Sequence, residues 1–320
     1  MIELRSKDAK SAEVLDSIAQ KVADASARLP QIENGSPETA RTFRAERGNP
    51  FAPEPCELDI IEDLEIPISS GALTIRVYKP FGWREALQPG FVFYHGGGFV
   101  LGDVRQYDTV AQHFAAKSGC IVVSVEYLLA PDNKIKGIHR DGFDAYAWVH
   151  ENSETLGIDN KRIAVGGDSA GGNLTIGVEL TCKKESYPLP AFQVLIYPSV
   201  DLPMNFPSVE EFASGYFLTK RGMSWFRSHY LETPEQAFDP ELSFLERDLH
   251  GLSPALLITA GFDPLRDEGK AFADRLSEQG VPVNHVCYTD MIHGFISFAG
   301  GIPAGMELIE QIAEELKRAL

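Results

Sequence analysis

Ser169 sits at the centre of Gly167-Asp168-Ser169-Ala170-Gly171, between an apolar run at 163–165 that reads as a strand and a helix-like segment at 169–184. A serine on a tight strand-to-helix turn has a strained backbone and an exposed Oγ. Glycines two residues before and after it keep a Cβ out of that turn, and Gly166 and Gly172 extend the small-residue surroundings. A serine hydroxyl is a poor nucleophile until a base takes its proton, so the base must be sought among the eight histidines. His293 lies in Asp290-Met291-Ile292-His293-Gly294-Phe295, after the last expected strand and before the last expected helix. That position suits a general base that later acts as the acid. His285 falls inside the preceding strand and reads as a satisfied or surface side chain, while His113, His139, His150, His229 and His250 have no comparable setting.

The base needs an orienting carboxylate. Asp263, in Gly261-Phe262-Asp263-Pro264, follows the strand expected at 255–259 and is the favoured candidate to accept the His293 Nδ1–H. Asp267 is its main competitor. Asp267 and Glu268 otherwise read as acidic decoration of a helix's first turn or as ion-pair partners of Arg266, and Asp290 reads as a loop-shaping residue. A second glycine-rich segment, His95-Gly96-Gly97-Gly98-Phe99, follows the strand expected at 91–94. Its backbone can approach a reacting carbonyl closely, so the N–H groups of Gly97 and Gly98, with that of Ala170, are the expected oxyanion donors. His95 is expected to brace this turn by a ring hydrogen bond.

Positioning these groups requires a sheet with helices on both faces. Apolar runs at 91–94, 121–127, 163–165, 192–197, 255–259 and 284–287 alternate with helical patterns at 107–118, 142–153, 169–184, 265–279 and from 304 onward. This alternation predicts a largely parallel sheet. Runs at 58–69 and 73–79 around Ser70-Gly71 predict a β-hairpin ahead of it. Two regions stand apart. Residues 11–29 predict an amphipathic helix with Val14, Leu15, Ile18, Val22 and Leu29 on its apolar stripe, stopped by Pro30, and the polar stretch from there to about Pro55 predicts loop with one short helix. Residues 201–239 carry Phe206, Phe212, Tyr216, Phe217, Trp225, Phe226 and Tyr230, too aromatic for a plain connection. The division expected is an N-terminal cap region at 1–50 and a catalytic α/β domain at 51–320, with a cap insertion at about 201–239. Simple helical packing is the competing account of both outlying regions.

Together these motifs resemble the hormone-sensitive-lipase-like esterases and lipases of the α/β-hydrolase superfamily, from roughly residue 40 to the end. The resemblance rests on His95-Gly96-Gly97-Gly98-Phe99, Gly167-Asp168-Ser169-Ala170-Gly171-Gly172, Asp263-Pro264-Leu265-Arg266-Asp267 and His293-Gly294-Phe295. It implies an α/β-hydrolase fold with a helical cap and a triad of Ser169, Asp263 and His293, with Gly97, Gly98 and Ala170 in the oxyanion hole. It further implies a carboxylesterase for short- to medium-chain esters, needing no cofactor, as a monomer or homodimer. Amidase, deacetylase or lactone hydrolase chemistry on the same triad is the alternative; a non-enzymatic receptor on this fold is disfavoured by the presence of both Ser169 and His293. One departure stands out: the family's Tyr-Arg-Leu-Ala-Pro-Glu appears as Tyr127-Leu128-Leu129-Ala130-Pro131-Asp132, which removes a cation from a supporting polar network.

Composition limits the partners. In 320 residues, 46 acidic against 29 basic side chains give a net charge of −17, which argues against nucleic acid and anionic membrane surfaces. No apolar run is long enough to span a bilayer, and the charged stretch 1–21 does not read as a secretion signal, so a cytoplasmic location is expected. The four cysteines are scattered and expected to be reduced; no close cluster predicts a metal site or metal catalysis. No phosphate-binding glycine motif supports a nucleotide partner. The expected partner is a small-molecule ester.

Overall fold

In chain order the computed structural model, which describes residues 5–320, contains β1 (Arg5–Ser6), α1 (Ser17–Ala27), α2 (Pro37–Arg47), β2 (Ile60–Ile68), β3 (Gly71–Lys79), β4 (Gln88–Tyr94), α3 (Asp108–Ser118), β5 (Ile121–Glu126), α4 (Ile135–Glu151), α5 (Ser153–Leu156) and β6 (Ile158–Asp168). It continues through α6 (Ala170–Glu185), β7 (Phe192–Ile196), α7 (Pro207–Glu211), α8 (Lys220–Tyr230), β8 (Ala255–Phe262), α9 (Arg266–Glu278), β9 (Val283–Ile292) and α10 (Pro303–Ala319). The strands form one sheet in the order β1-β9-β8-β7-β6-β4-β5-β3-β2. From β5 through β4, β6, β7 and β8 to β9 every pairing is parallel. The expected hairpin β2–β3 and the short β1 add antiparallel edges.

Both faces of the sheet are covered, which is why its central strands are continuous apolar runs. Side chains alternate with the strand period. Phe91 and Phe93 of β4 enter a core with α3 and α10, whereas Val92 and Tyr94 enter the opposite core with α4 and α6. Leu195 and Leu257 pack with Phe272 and Leu276 of α9. The consequence for the site is positional: parallel strands deliver their C-terminal ends to one rim.

Several boundaries differ from the sequence expectation. The first helix begins at Ser17, not near 11, because Asp16 caps it through Ile18 N and Ala19 N. The residues before it bond instead to the end of β9, with Ala12 N donating to Thr289 O at 2.8 Å and Asp16 N to Asp290 O at 3.1 Å. Val14 therefore leaves the apolar stripe and is 76% exposed. The helix expected at 142–153 starts at Ile135, and Gly142 lies inside it: a Cβ there would stand 2.5 Å from Leu174 of α6, so the glycine marks a helix crossing. The short helix expected before Pro55 is present as α2, capped by Ser36 and opened by Pro37. Of the expected cap stretch, residues 1–4 lie outside the described residues.

Glu268 also departs from its expected place. It is fully buried, and its Oε1 accepts from Val200 N at 2.7 Å and Asp201 N at 3.2 Å. The carboxylate thus ties α9 to the loop after β7, with burial holding its pKa well above the usual range. Asp267 does pair with Arg266, at 2.7 Å, and also accepts from Ser208 N. The cysteines are unpaired, with Cys120, Cys182 and Cys287 buried.

Glu179 of α6 is a second fully buried carboxyl, pushed up to about 7 by burial. Its folded pKa lies above the unfolded value, so the folded state holds the extra proton between roughly pH 4.5 and 7. The associated stability is present at low pH and lost as pH rises through that window. Glu179→Gln keeps an acceptor for Ser253 and abolishes the ionisation. In urea unfolding the variant is expected to match the wild type near about pH 4.5 and to be more stable by about 3 kcal/mol near about pH 8.5. A constant difference across this range would refute the assignment.

Candidate active site

The turn from β6 into α6 is set by a lack of room. A Cβ on Gly171 would lie 1.9 Å from Tyr94 O, and one on Gly167 would lie 2.4 Å from the Gly171 backbone. The first turn of α6 therefore presses against the end of β4. Ser169, between these glycines, takes φ 57°, a strained conformation for a side-chain-bearing residue. Its N–H donates to Ile196 O at 2.8 Å, which pins the turn to β7.

The residues singled out from sequence meet here. His293 Nε2 lies 2.9 Å from Ser169 Oγ, and His293 Nδ1 lies 2.7 Å from Asp263 Oδ2. Asp263 is acceptor-only when ionised, so Nδ1 carries the proton and Nε2 accepts from the serine hydroxyl. Asp263 Oδ1 takes Leu265 N at 2.8 Å, which fixes the carboxylate at the end of β8. Asp263 and His293 are both buried, and the Tyr197 ring packs 4.6 Å from the imidazole. Asp267 points elsewhere, as its bonds above show. His285 is satisfied by Thr259 and Lys7 O, and Asp290 binds Arg5 at 3.0 Å.

On the other side of Ser169 the glycine turn has φ 123° at Gly97 and 62° at Gly98. Among the described residues the N–H groups of Gly97 and Gly98 make no hydrogen bond, and Ala170 N–H is at the first position of α6, where a helix offers no acceptor. All three residues line the cleft that contains Ser169 and His293. His95 braces the turn as expected: burial lowers its pKa to about 4, and the neutral ring donates from Nδ1 to Gly96 O at 2.8 Å while stacking on Tyr127.

What holds the glycine turn in place lies outside the motifs' own spacing. Asp168 is buried; its Oδ1 accepts from Gly96 N at 2.6 Å and its Oδ2 from Tyr107 OH at 2.9 Å. One side chain thus couples the turn that carries Ser169 to the glycine turn. Burial raises its pKa to about 6 despite the Tyr107 bond and the nearby His293. Asp168 was in plain view beside Ser169, but no sequence pattern shows what it touches 72 residues away. Leu128, where the family cation is absent, is 40% exposed. A guanidinium reaches this loop from α2 instead: Arg41 donates to Val100 O at 2.8 Å and to Ala130 O. Phe226 of α8 then closes over Gly98, where a Cβ would stand 2.3 Å from its ring.

A family model described as the alpha/beta hydrolase fold matches residues 91–297, which include the glycine turn, Ser169, Asp263 and His293. The chain belongs to the α/β-hydrolase family. It is 39% identical over 269 residues to the carboxylic ester hydrolase LipN of Mycobacterium tuberculosis, covering 81% of this chain and 71% of that protein. Over 296 residues it is 34% identical to an ethyl acetate hydrolase of Pseudomonas putida, covering 91% and 93%. In three dimensions it matches an ester hydrolase from the metagenome of Lake Arreo, solved with a bipyridine phosphonate derivative, with a TM-score of 0.91 and 34% identity over 95% of this chain and 99% of that one.

The Asp168 bridge supplies a test. Asp168→Ala leaves Gly96 N–H and Tyr107 OH without their acceptor and frees the glycine turn. With 4-nitrophenyl acetate as probe, kcat/KM is expected to fall by about tenfold or more, short of the roughly 100- to 1,000-fold that loss of an oxyanion donor itself costs. Asp168→Asn, which retains an oxygen for Gly96 N–H, is expected to lose less. Equal activity of wild type and the alanine variant would remove Asp168 from the positioning of this site.

Proposed function

We propose that this α/β hydrolase is a carboxylesterase for short- to medium-chain esters, acting through an acyl-enzyme on Ser169. The observation that carries the reading is the continuous chain from Ser169 Oγ through His293 to Asp263, at 2.9 and 2.7 Å, beside three unengaged N–H groups.

In this reading His293 Nε2 takes the Ser169 proton as Oγ attacks the ester carbonyl carbon. The carbonyl oxygen gains the electron pair and is held by Gly97, Gly98 and Ala170 N–H; losing one comparable donor elsewhere costs roughly 3–4 kcal/mol of transition-state stabilisation. Asp263 stabilises the imidazolium. Collapse of the tetrahedral species breaks the C–O bond, and Nε2–H protonates the departing alkoxide, leaving an acyl group on Ser169. Water deprotonated by His293 then attacks the acyl carbon, and Oγ leaves with the proton from Nε2 as the carboxylic acid is released. Only protons and an acyl group move, so the cycle balances without electron transfer.

The acyl-size preference is supported by a cleft of about 260 Å³ with Leu29, Phe43, Phe217, Met223 and Phe226 in its walls. The same residues support a cap made by 1–50 and 201–239, since Leu29 and Phe43 come from the first region and the others from the second. The ester hydrolases among its relatives point the same way. Among the described residues no helix is long and apolar enough to cross a membrane.

A serine-directed phosphonate followed by peptide mapping is expected to label Ser169 and to abolish ester turnover, and Ser169→Ala to prevent both. Labelling elsewhere with turnover intact would overturn the nucleophile. Across 4-nitrophenyl esters kcat/KM is expected to peak at short to medium acyl chains and to exceed that of a matched amide. A maximum with long, aggregated lipids would overturn the size preference.

A further inference from the structure

Helix α2 places Arg41, Arg44 and Arg47 three residues apart, hence along one side of the helix. Their fates differ. Arg41 is committed to the carbonyls of Val100 and Ala130. Arg44 and Arg47 line the cleft that holds Ser169, Arg44 half-buried and Arg47 exposed. Among the described residues neither makes an ion pair or a hydrogen bond through its guanidinium. The charge of Arg44 acts on buried His95 and Tyr107 beneath the glycine turn, which puts it on the oxyanion side of the cleft.

Cations in the last turn complement a helix's C-terminal dipole, but that holds equally for side chains turned to solvent. It does not account for Arg44 entering the cleft. The carboxylates of the cleft are already occupied. Glu33 lies 3.6 Å from Arg221, Asp168 takes Gly96 N–H and Tyr107 OH, and Asp201 takes Asn205 N–H at 2.6 Å. A protein of net charge −17 repels anionic substrates at long range, so an unpaired cationic pair in the wall of the cleft that holds Ser169 has a specific effect. A neutral ester gains little from it. A carboxylate gains a bidentate partner in a partly desolvated site.

The geometry points to esters that carry a second, ionised carboxylate as the preferred substrates, gripped by Arg44 with Arg47 at the cleft mouth. This inference rests on the esterase reading above. The carboxylate belongs to either the acyl or the alcohol arm, and matched substrates separate the two. Monoethyl glutarate carries it on the acyl arm and 4-acetoxybutanoate on the alcohol arm; each is compared with the isostere in which CONH2 replaces COO−.

The readout is the ratio of kcat/KM for the charged ester to that for its neutral isostere, measured within one protein at low salt. Such a ratio is unaffected by how much of a variant folds. In the wild type it is expected to exceed one for one of the two arms, which names the arm, and to fall at high salt. Arg44→Gln is expected to lower it by about tenfold, mainly through KM, with Arg44→Lys recovering part of the loss. Arg47→Gln should lower it less. If Arg44→Gln leaves the ratio unchanged for both arms, the carboxylate site is overturned while the esterase reading stands. If the wild type turns over none of the four esters and no 4-nitrophenyl acetate, the esterase reading falls and this inference falls with it.

Discussion

The close approach of the α6 N-terminus to the C-terminal end of β4 is the contact on which the rest of the site depends. Gly171 meets Tyr94 O where no Cβ fits, and the neighbouring Gly167 is equally crowded. Because the two backbones touch, the residue between the glycines is forced to positive φ and projects its side chain at the sheet rim. The same contact brings β4's continuation, the glycine turn, beside Ser169. Ser169 and the candidate oxyanion donors are therefore positioned by one packing constraint, not by two independent loops. β8 and β9 then need only end at the same rim for Asp263 and His293 to arrive, and their parallel pairing ensures that they do.

Around this contact the protein uses buried carboxylates as fasteners. Asp168 holds the glycine turn, Asp263 holds the imidazole and Glu268 holds the loop after β7 through two backbone N–H groups. A carboxylate accepts several bonds at once, so each joins segments distant in sequence. Burial opposes the charged form, and Asp168 and Glu268 both have raised pKa values with desolvation as the leading cause. The charged form of each is thus held at a desolvation cost, which the backbone N–H bonds offset in part.

Legibility from sequence followed locality. Ser169, Gly97 and Gly98 stand out as candidates because their glycine context is contiguous, and His293 and Asp263 because each sits directly after a strand; the fold brings these residues together. The alternation of apolar runs was enough for the sheet and most helices. What escaped depended on contacts across the chain. Glu268 looks like helix decoration until the loop at 200–201 is seen against it, and the role of Asp168 appears only with Gly96 and Tyr107 in place. Gly142 read as a helix start because its reason for being glycine is Leu174, a residue of another helix. The helix start at Ser17 was missed for a similar reason: β9 captures the residues before Asp16.

The departure at Leu128 shows how such nonlocal wiring can shift. The sequence lacks a cation there, yet the carbonyls of the surrounding loops are not left without a donor, because Arg41 approaches from α2. Arg41 fastens α2 to the loop that follows the glycine turn, and Ala130 N–H closes the arrangement by donating to Phe99 O at 2.8 Å. The helix that borders the cleft is thereby joined to the backbone that would stabilise the oxyanion. Phe226 presses on the same turn from α8, so both outlying regions bear on Gly98 and its neighbours. The flanking helices therefore touch the glycine turn directly as well as lining the cleft beside it.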